Sequence, residues 1–112
     1  MRKSELLIEV NELTRIIGIE NCVPIDCRAK LDDPYWGQKE YSHGHLPGAI
    51  FANLNTHLSA PPGTRGRHPL PTRQSFVDLL SCWGITHDTL LVPYDSNDNV
   101  YACRFWWMAR WV

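Results

Sequence analysis

Cys22-Val23-Pro24-Ile25-Asp26-Cys27-Arg28 is the stretch on which the fold turns. Residues 22–25 are apolar without a break, as in a strand buried on both faces, and they run straight into Asp26 and Arg28. Open α/β sheets collect functional side chains at the carboxyl ends of such strands, so Asp26 is the first point of interest. Residues 90–94 repeat the arrangement, an apolar run released into the polar turn 95–99. Between the two runs lie helical patterns. Residues 35–42 read as a short helix, and Gly44, Pro47 and Gly48 turn the chain into a short strand over 49–51. Thr72 is placed to cap a helix over 73–83, where Phe76, Val77, Leu79, Leu80 and Trp83 follow the i, i+3, i+4, i+7 rule and Gly84 ends the helix.

At the amino end, residues 6–8 read as a small strand, and Asn11 is placed to cap a helix over 12–17 that Gly18 closes. At the other end, residues 100–112 form a helix apolar on nearly every side apart from Arg104 and Arg110, which predicts burial on more than one face. Phe105, Trp106, Trp107 and Trp111 are therefore expected in the core. Strands alternating with helices point to right-handed βαβ units, hence a mostly parallel twisted sheet with helices on both faces. Pro93 falls inside what should be a central strand, which predicts distortion near Tyr94.

The chain has 112 residues, 44% hydrophobic and 21% charged, enough for one domain over residues 1–112 and no second one. A formal net charge of -1 supplies no field to gather nucleic acid or an anionic membrane. No apolar run approaches the roughly 20 residues that span a bilayer, and Glu5, Glu9 and Glu12 spoil a targeting leader, so a cytoplasmic location is expected. Cys22, Cys27, Cys82 and Cys103 form no C-x-x-C pair, which predicts free, packed thiols.

Three segments together resemble the rhodanese family of sulfurtransferases. Ile25-Asp26-Cys27-Arg28 followed by Gly44-His45-Leu46-Pro47-Gly48-Ala49 is similar to the family's D-x-R strand end and G-H-I-P-G-A turn. Arg67-His68-Pro69-Leu70-Pro71 looks like the linker of tandem thiosulfate and 3-mercaptopyruvate sulfurtransferases. Tyr94-Asp95, then Ala102-Cys103-Arg104-Phe105-Trp106-Trp107, resembles the pattern of their non-catalytic first domain. The resemblance implies a three-layer rhodanese-like domain, cut short at Val112 before the family's next strand and second domain. It implies no cofactor, and it implies a small sulfur donor as substrate only where a catalytic domain is present. A second rhodanese domain or a second copy of the chain is the expected partner.

In a catalytic member, the resemblance implies, a cysteine opens the loop after Tyr94 and carries a persulfide, its thiolate stabilised by loop and helix N–H groups. Asp95 stands at that position, so the loop is expected to be silent. Cys103, early in the last helix beside Arg104, is the only substitute nucleophile. Asp26, Arg28, Gly44, His45, Pro47 and Gly48 are expected to be structural, with Asp26 and Arg28 paired and the His45 ring bonded to backbone or to Asp26. Arg67 and Arg104 are candidates for an anion site or a domain interface, and Arg65 and Arg73 flank the same Pro/Gly loop. His43, His45, His57 and His68 do not assemble at metal-ligand spacing. Cys22-x5-Arg28 matches the phosphatase signature only in form, because its intervening residues are the strand itself. The competing reading is a binding or regulatory rhodanese-like module without activity.

Overall fold

A computed structural model describes residues 7–19 and 21–112. Seven elements follow in order: α1 (Val10–Ile16), β1 (Cys22–Asp26), α2 (Trp36–His43), β2 (Ile50–Phe51), α3 (Arg73–Cys82), β3 (Leu90–Tyr94) and α4 (Val100–Trp111). The three strands form a parallel sheet in the order β2-β1-β3, with Ile25 level with Ile50 and Pro93, and Asp26 level with Phe51 and Tyr94. The chain steps from β1 to β2 and then back past β1 to β3. Right-handed crossovers in opposite directions put α2 and α3 on opposite faces of the sheet.

The contacts agree with that layering. Phe76 of α3 meets Phe105 of α4 edge to face at 5.9 Å, and both are buried in one cluster with Ile25, Leu58 and Met108. On the α2 side, Tyr41 packs against Phe51 at 5.5 Å. Gly37 lets α2 come this close: a Cβ there would lie 2.1 Å from the Arg28 carbonyl oxygen, so no other residue fits without moving the backbone. Gly48, at φ +74°, takes the left-handed conformation that the turn into β2 requires.

Two prolines lie in the sheet without disturbing it. In a parallel ladder, alternate residues aim both their N–H and C=O at the same neighbour. Leu90 donates to Asn21 O and Tyr94 O accepts from Cys27, so the even residues of β3 face β1 and Pro93 faces outward. Its missing N–H costs nothing because β3 is the edge strand of the described sheet, and the predicted distortion near Tyr94 does not occur. Pro24 in the central strand is tolerated for a related reason. Asp26 O accepts from Ala52, so the even residues of β1 face β2, and the nitrogen of Pro24 points to where β2 has not yet begun.

Other sequence expectations need correction. Leu7 and Ile8 belong to no strand, and Leu6 lies outside the described residues. The first helix begins at Val10 behind Glu9, with no side-chain cap, so Asn11 is inside it. Helix α4 is buried along one side only, through Tyr101, Ala102, Phe105 and Met108, while Trp106 and Trp107 are 40% and 47% exposed. Apolarity all round did not translate into burial all round. Thr72 does cap α3, accepting the Ser75 N–H at 3.1 Å.

Candidate functional site

The parallel register brings the carboxyl ends of β1 and β3 side by side, and a polar network closes over them. Asp26 is fully buried. Its carboxylate takes two N–H groups of the Arg28 side chain, Nε at 3.1 Å and Nη2 at 2.7 Å, and the Arg28 backbone N–H at 3.0 Å. The Tyr94 hydroxyl donates to Asp26 Oδ2 at 3.0 Å and accepts the Leu46 N–H at 3.2 Å. Arg28 Nη2 also donates to Gly44 O at 2.7 Å. One carboxylate thus ties together the end of β1, the end of β3 and the turn over 44–48. A planar guanidinium and a carboxylate in this geometry form a strong charge-assisted pair.

The titration behaviour reflects these contacts. The hydrogen bond to Asp26 raises the pKa of Arg28 further above its ordinary value. Burial, only partly offset by the Leu46 N–H, pushes the Tyr94 hydroxyl up to about 12. His45 belongs to the turn: its ring stacks on Tyr41 at 3.7 Å and its Nδ1–H donates to Tyr41 O at 2.7 Å. Pro47 and Gly48 complete the turn, and the hydroxyl of Tyr41 holds Ala49 O on the far side of it.

Next to the network, the loop over 95–99 wraps around one side chain. Asp95 Oδ1 accepts the N–H groups of Asn97 and Asn99 at 2.8 and 2.9 Å. Asp95 Oδ2 accepts those of Tyr101 and Ala102, also at 2.8 and 2.9 Å. Asp98 and Asn99 adopt left-handed φ angles of 54° and 67°, a conformation that short Asx side chains tolerate and that turns the loop amides inward. The result is a ring of backbone donors at the start of α4, the arrangement that binds an anion. Here the anion is the loop's own carboxylate.

Cys27, Cys82 and Cys103 are free thiols. Cys27 is buried beside this site, and its pKa is raised by burial and then by the negative charges of Asp26 and Asp95, so it stays a neutral thiol that donates to Ile25 O. Cys103, expected to be packed, is exposed on the first turn of α4, as Cys82 is at the end of α3.

Arg67 and Arg104 do not join the strand-end network. Arg67 Nη2 donates to Leu31 O at 3.1 Å. Arg104 donates to Leu58 O through Nε and Nη2, and to Ser59 Oγ and His68 O through Nη2. Together they fasten the loop over 59–70 to α4 and to the segment after β1. Sequence reasoning missed Tyr94 as the second partner of Asp26, Gly37 as the contact point of α2, and the structural role of His57, which it weighed only as a metal ligand. The ring of His57 accepts the Asn53 N–H at 2.9 Å through Nδ1 and meets Trp83 edge-on at 5.3 Å. Only the strand register, which aligns Asp26 with Tyr94, carried a signal for the first of these.

Comparison with known proteins places these features in context. Residues 9–111 match the family described as Rhodanese-like domain. A Pseudomonas aeruginosa protein named "Probable 3-mercaptopyruvate sulfurtransferase" is 37% identical over 97% of this chain and 39% of its own length. Thiosulfate/3-mercaptopyruvate sulfurtransferase 2 of Arabidopsis thaliana is 39% identical over 64% of the chain and 20% of its own length. The solved structure of 3-mercaptopyruvate sulfurtransferase from Leishmania major superposes with a TM-score of 0.84 at 28% identity, covering 92% of this chain and 28% of that one. The chain spans at most 39% of the length of these relatives.

Proposed function

The chain belongs to the rhodanese-like domain family, and from that premise we propose that it is the structural half of a sulfane-sulfur transfer system, resembling the first domain of a tandem sulfurtransferase. The observation that carries the reading is the Asp95 carboxylate seated in a ring of backbone N–H groups at the head of α4. Sulfane-sulfur transfer needs a thiolate there. The thiolate forms an S–S bond to the outer sulfur of the donor, the bond holding that sulfur to the donor breaks, and its electron pair leaves with sulfite or with pyruvate. The persulfide then passes the sulfur to a thiophilic acceptor. A carboxylate holds no transferable sulfur, and while it fills the ring no second anion enters.

The role left to this chain is to provide one wall of a site whose nucleophile lies on a second rhodanese-like domain. The greater length of the relatives supports that partner, with thiosulfate or 3-mercaptopyruvate as the donor class their names carry. Asp26, Arg28, Gly44, His45, Pro47 and Gly48 act as scaffold, fixing the strand ends that frame the wall. Arg67 and Arg104 hold the loop over 59–70 in the shape it would present to the partner. The exposure of Cys103 favours one competing reading, a small sulfurtransferase that uses this thiol.

The test is intact mass with peptide mapping after the reduced chain is incubated with thiosulfate and, separately, with 3-mercaptopyruvate, then alkylated. The reading expects no added sulfur on any cysteine of the folded chain. Sulfur on Cys103, lost in Cys103→Ser, replaces it with the competing one.

A further inference from the structure

The loop over 59–72 is more ordered than its proline and glycine content suggests. Gly63 and Gly66 exchange backbone hydrogen bonds at 3.1 and 3.0 Å around Thr64 and Arg65, and Ala60 donates to Pro69 O at 2.8 Å. The loop is thus a short ribbon folded back on itself. Its base is fixed by Arg104 on Leu58 O and His68 O, by Arg67 on Leu31 O, and by the His68 ring on Asn55 at 3.1 Å. Between the ribbon and the start of α3 lies an open, solvent-facing hollow of about 280 Å³.

The lining of this cavity divides by chemistry. Pro61, Pro69 and Leu70 make an apolar floor, and Thr64, Arg65 and Thr72 make a polar rim, with no carboxylate among the lining residues. Arg65 makes one hydrogen bond among the described residues, Nη2 to Leu70 O at 2.6 Å, which holds the guanidinium over the cavity and leaves Nε and Nη1 for a further acceptor. Among the described residues its charge meets a carbonyl and no anion, unlike that of Arg28. The cavity also opens at the amino end of the ten-residue helix α3, whose first-turn amides and dipole add partial positive charge. A volume near the lower end of ligand sites, with one fixed cation over an apolar floor, matches a small amphiphilic anion.

We infer that this cavity binds a small organic carboxylate, its charged head on Arg65 and the rim, its short apolar body on Pro61, Pro69 and Leu70. The site is separate from Asp95 and independent of any sulfur chemistry.

The experiment is a ¹H–¹⁵N titration of the full chain with phenylacetate, with phenylacetamide and acetate as controls. The expected result is saturable shifts at the amides of Gly63, Thr64, Gly66, Leu70 and Arg73, with a Kd on the order of 1 mM for a ligand of this size. Phenylacetamide, which lacks the charge, and acetate, which lacks the apolar body, should each bind at least about tenfold more weakly. Arg65→Gln should weaken phenylacetate by a similar factor. Should that variant disturb the ribbon, seen as loss of the Gly63 and Gly66 amide positions, Pro61→Asp decides: it leaves the Arg65 contact intact and sets a like charge in the cavity, and binding should vanish. Absence of saturable shifts, equal binding of phenylacetamide or acetate, or phenylacetate binding unchanged in Pro61→Asp overturns the inference.

Discussion

Two regions of this molecule are each built around an arginine, and they use it in opposite ways. At the strand ends, Arg28 meets the carboxylate of Asp26, and Tyr94 completes the set. In the loop over 59–70, Arg104 meets only neutral oxygens among the described residues, those of Leu58, Ser59 and His68. The first region balances charge within itself and closes. The second satisfies geometry and, among the described residues, leaves its charge without an ion pair, as Arg65 and Arg67 do nearby. The comparison shows that an exposed, arginine-rich loop can still be fixed in shape, its guanidinium groups set on backbone oxygens rather than on anions. Among the described residues, no buried side-chain nitrogen or oxygen lacks a partner.

The largest effect should come from removing the anion of the closed region. Asp26→Asn leaves the half-buried Arg28 without its counter-charge and should cost about 3–5 kcal/mol in urea unfolding. A cost equal to that of an exposed pair, below about 1 kcal/mol, would erase the contrast between the regions. Gly37→Ala attacks the same region through packing, because the new Cβ meets the Arg28 carbonyl, and about 3 kcal/mol is expected by the same measurement. Arg104→Met removes charged donors from neutral acceptors while keeping the apolar stem, and about 2 kcal/mol is expected. Amide exchange should then quicken over the loop at 59–70 while β1 keeps its protection.

The smallest effect separates the regions by pH. His57 has its pKa lowered from 6.5 by burial, and its Nδ1 must stay unprotonated to accept the Asn53 N–H. His68 is also lowered, by burial and by the charges of Arg67 and Arg104. The unfolded chain therefore binds more protons than the folded one just below 6.5, so this stability is complete above that pH and drains as pH falls through the window. The opening free energy at the Asn53 and Leu58 amides, corrected for the intrinsic exchange rate at each pH, should fall between neutral pH and mild acid, and His57→Gln should flatten that fall. An unchanged slope in His57→Gln would assign it to another group.

Much of this architecture was legible in the sequence, and the failures share a cause. The apolar runs at 22–25 and 90–94 declared parallel strands, and the pairing of Asp26 with Arg28 followed from their spacing at a strand end. Tyr94 was hidden because its contact with Asp26 spans 68 positions and depends on register. Pro93 was misjudged because composition does not say which neighbour a backbone N–H faces. Trp106 and Trp107 were misjudged because an apolar residue states a preference for burial but not which face of a helix the fold will cover. The Asp95 ring was half legible: the residue was visible, while the four inward amides depended on left-handed turns at Asp98 and Asn99.

The central claim is that the ring at the head of α4 is intact and silent only because a carboxylate fills it. The direct measurement is cyanide-labile sulfur, mapped by residue, in the native chain and in Asp95→Cys after exposure to thiosulfate. A thiol placed in that ring should have a lowered pKa and react about tenfold faster than Cys82 or Cys103 at neutral pH. The account predicts no sulfur on the native chain and sulfur on residue 95 of the variant. Sulfur on Cys103 of the native chain, or none at residue 95 of a folded variant, would contradict it.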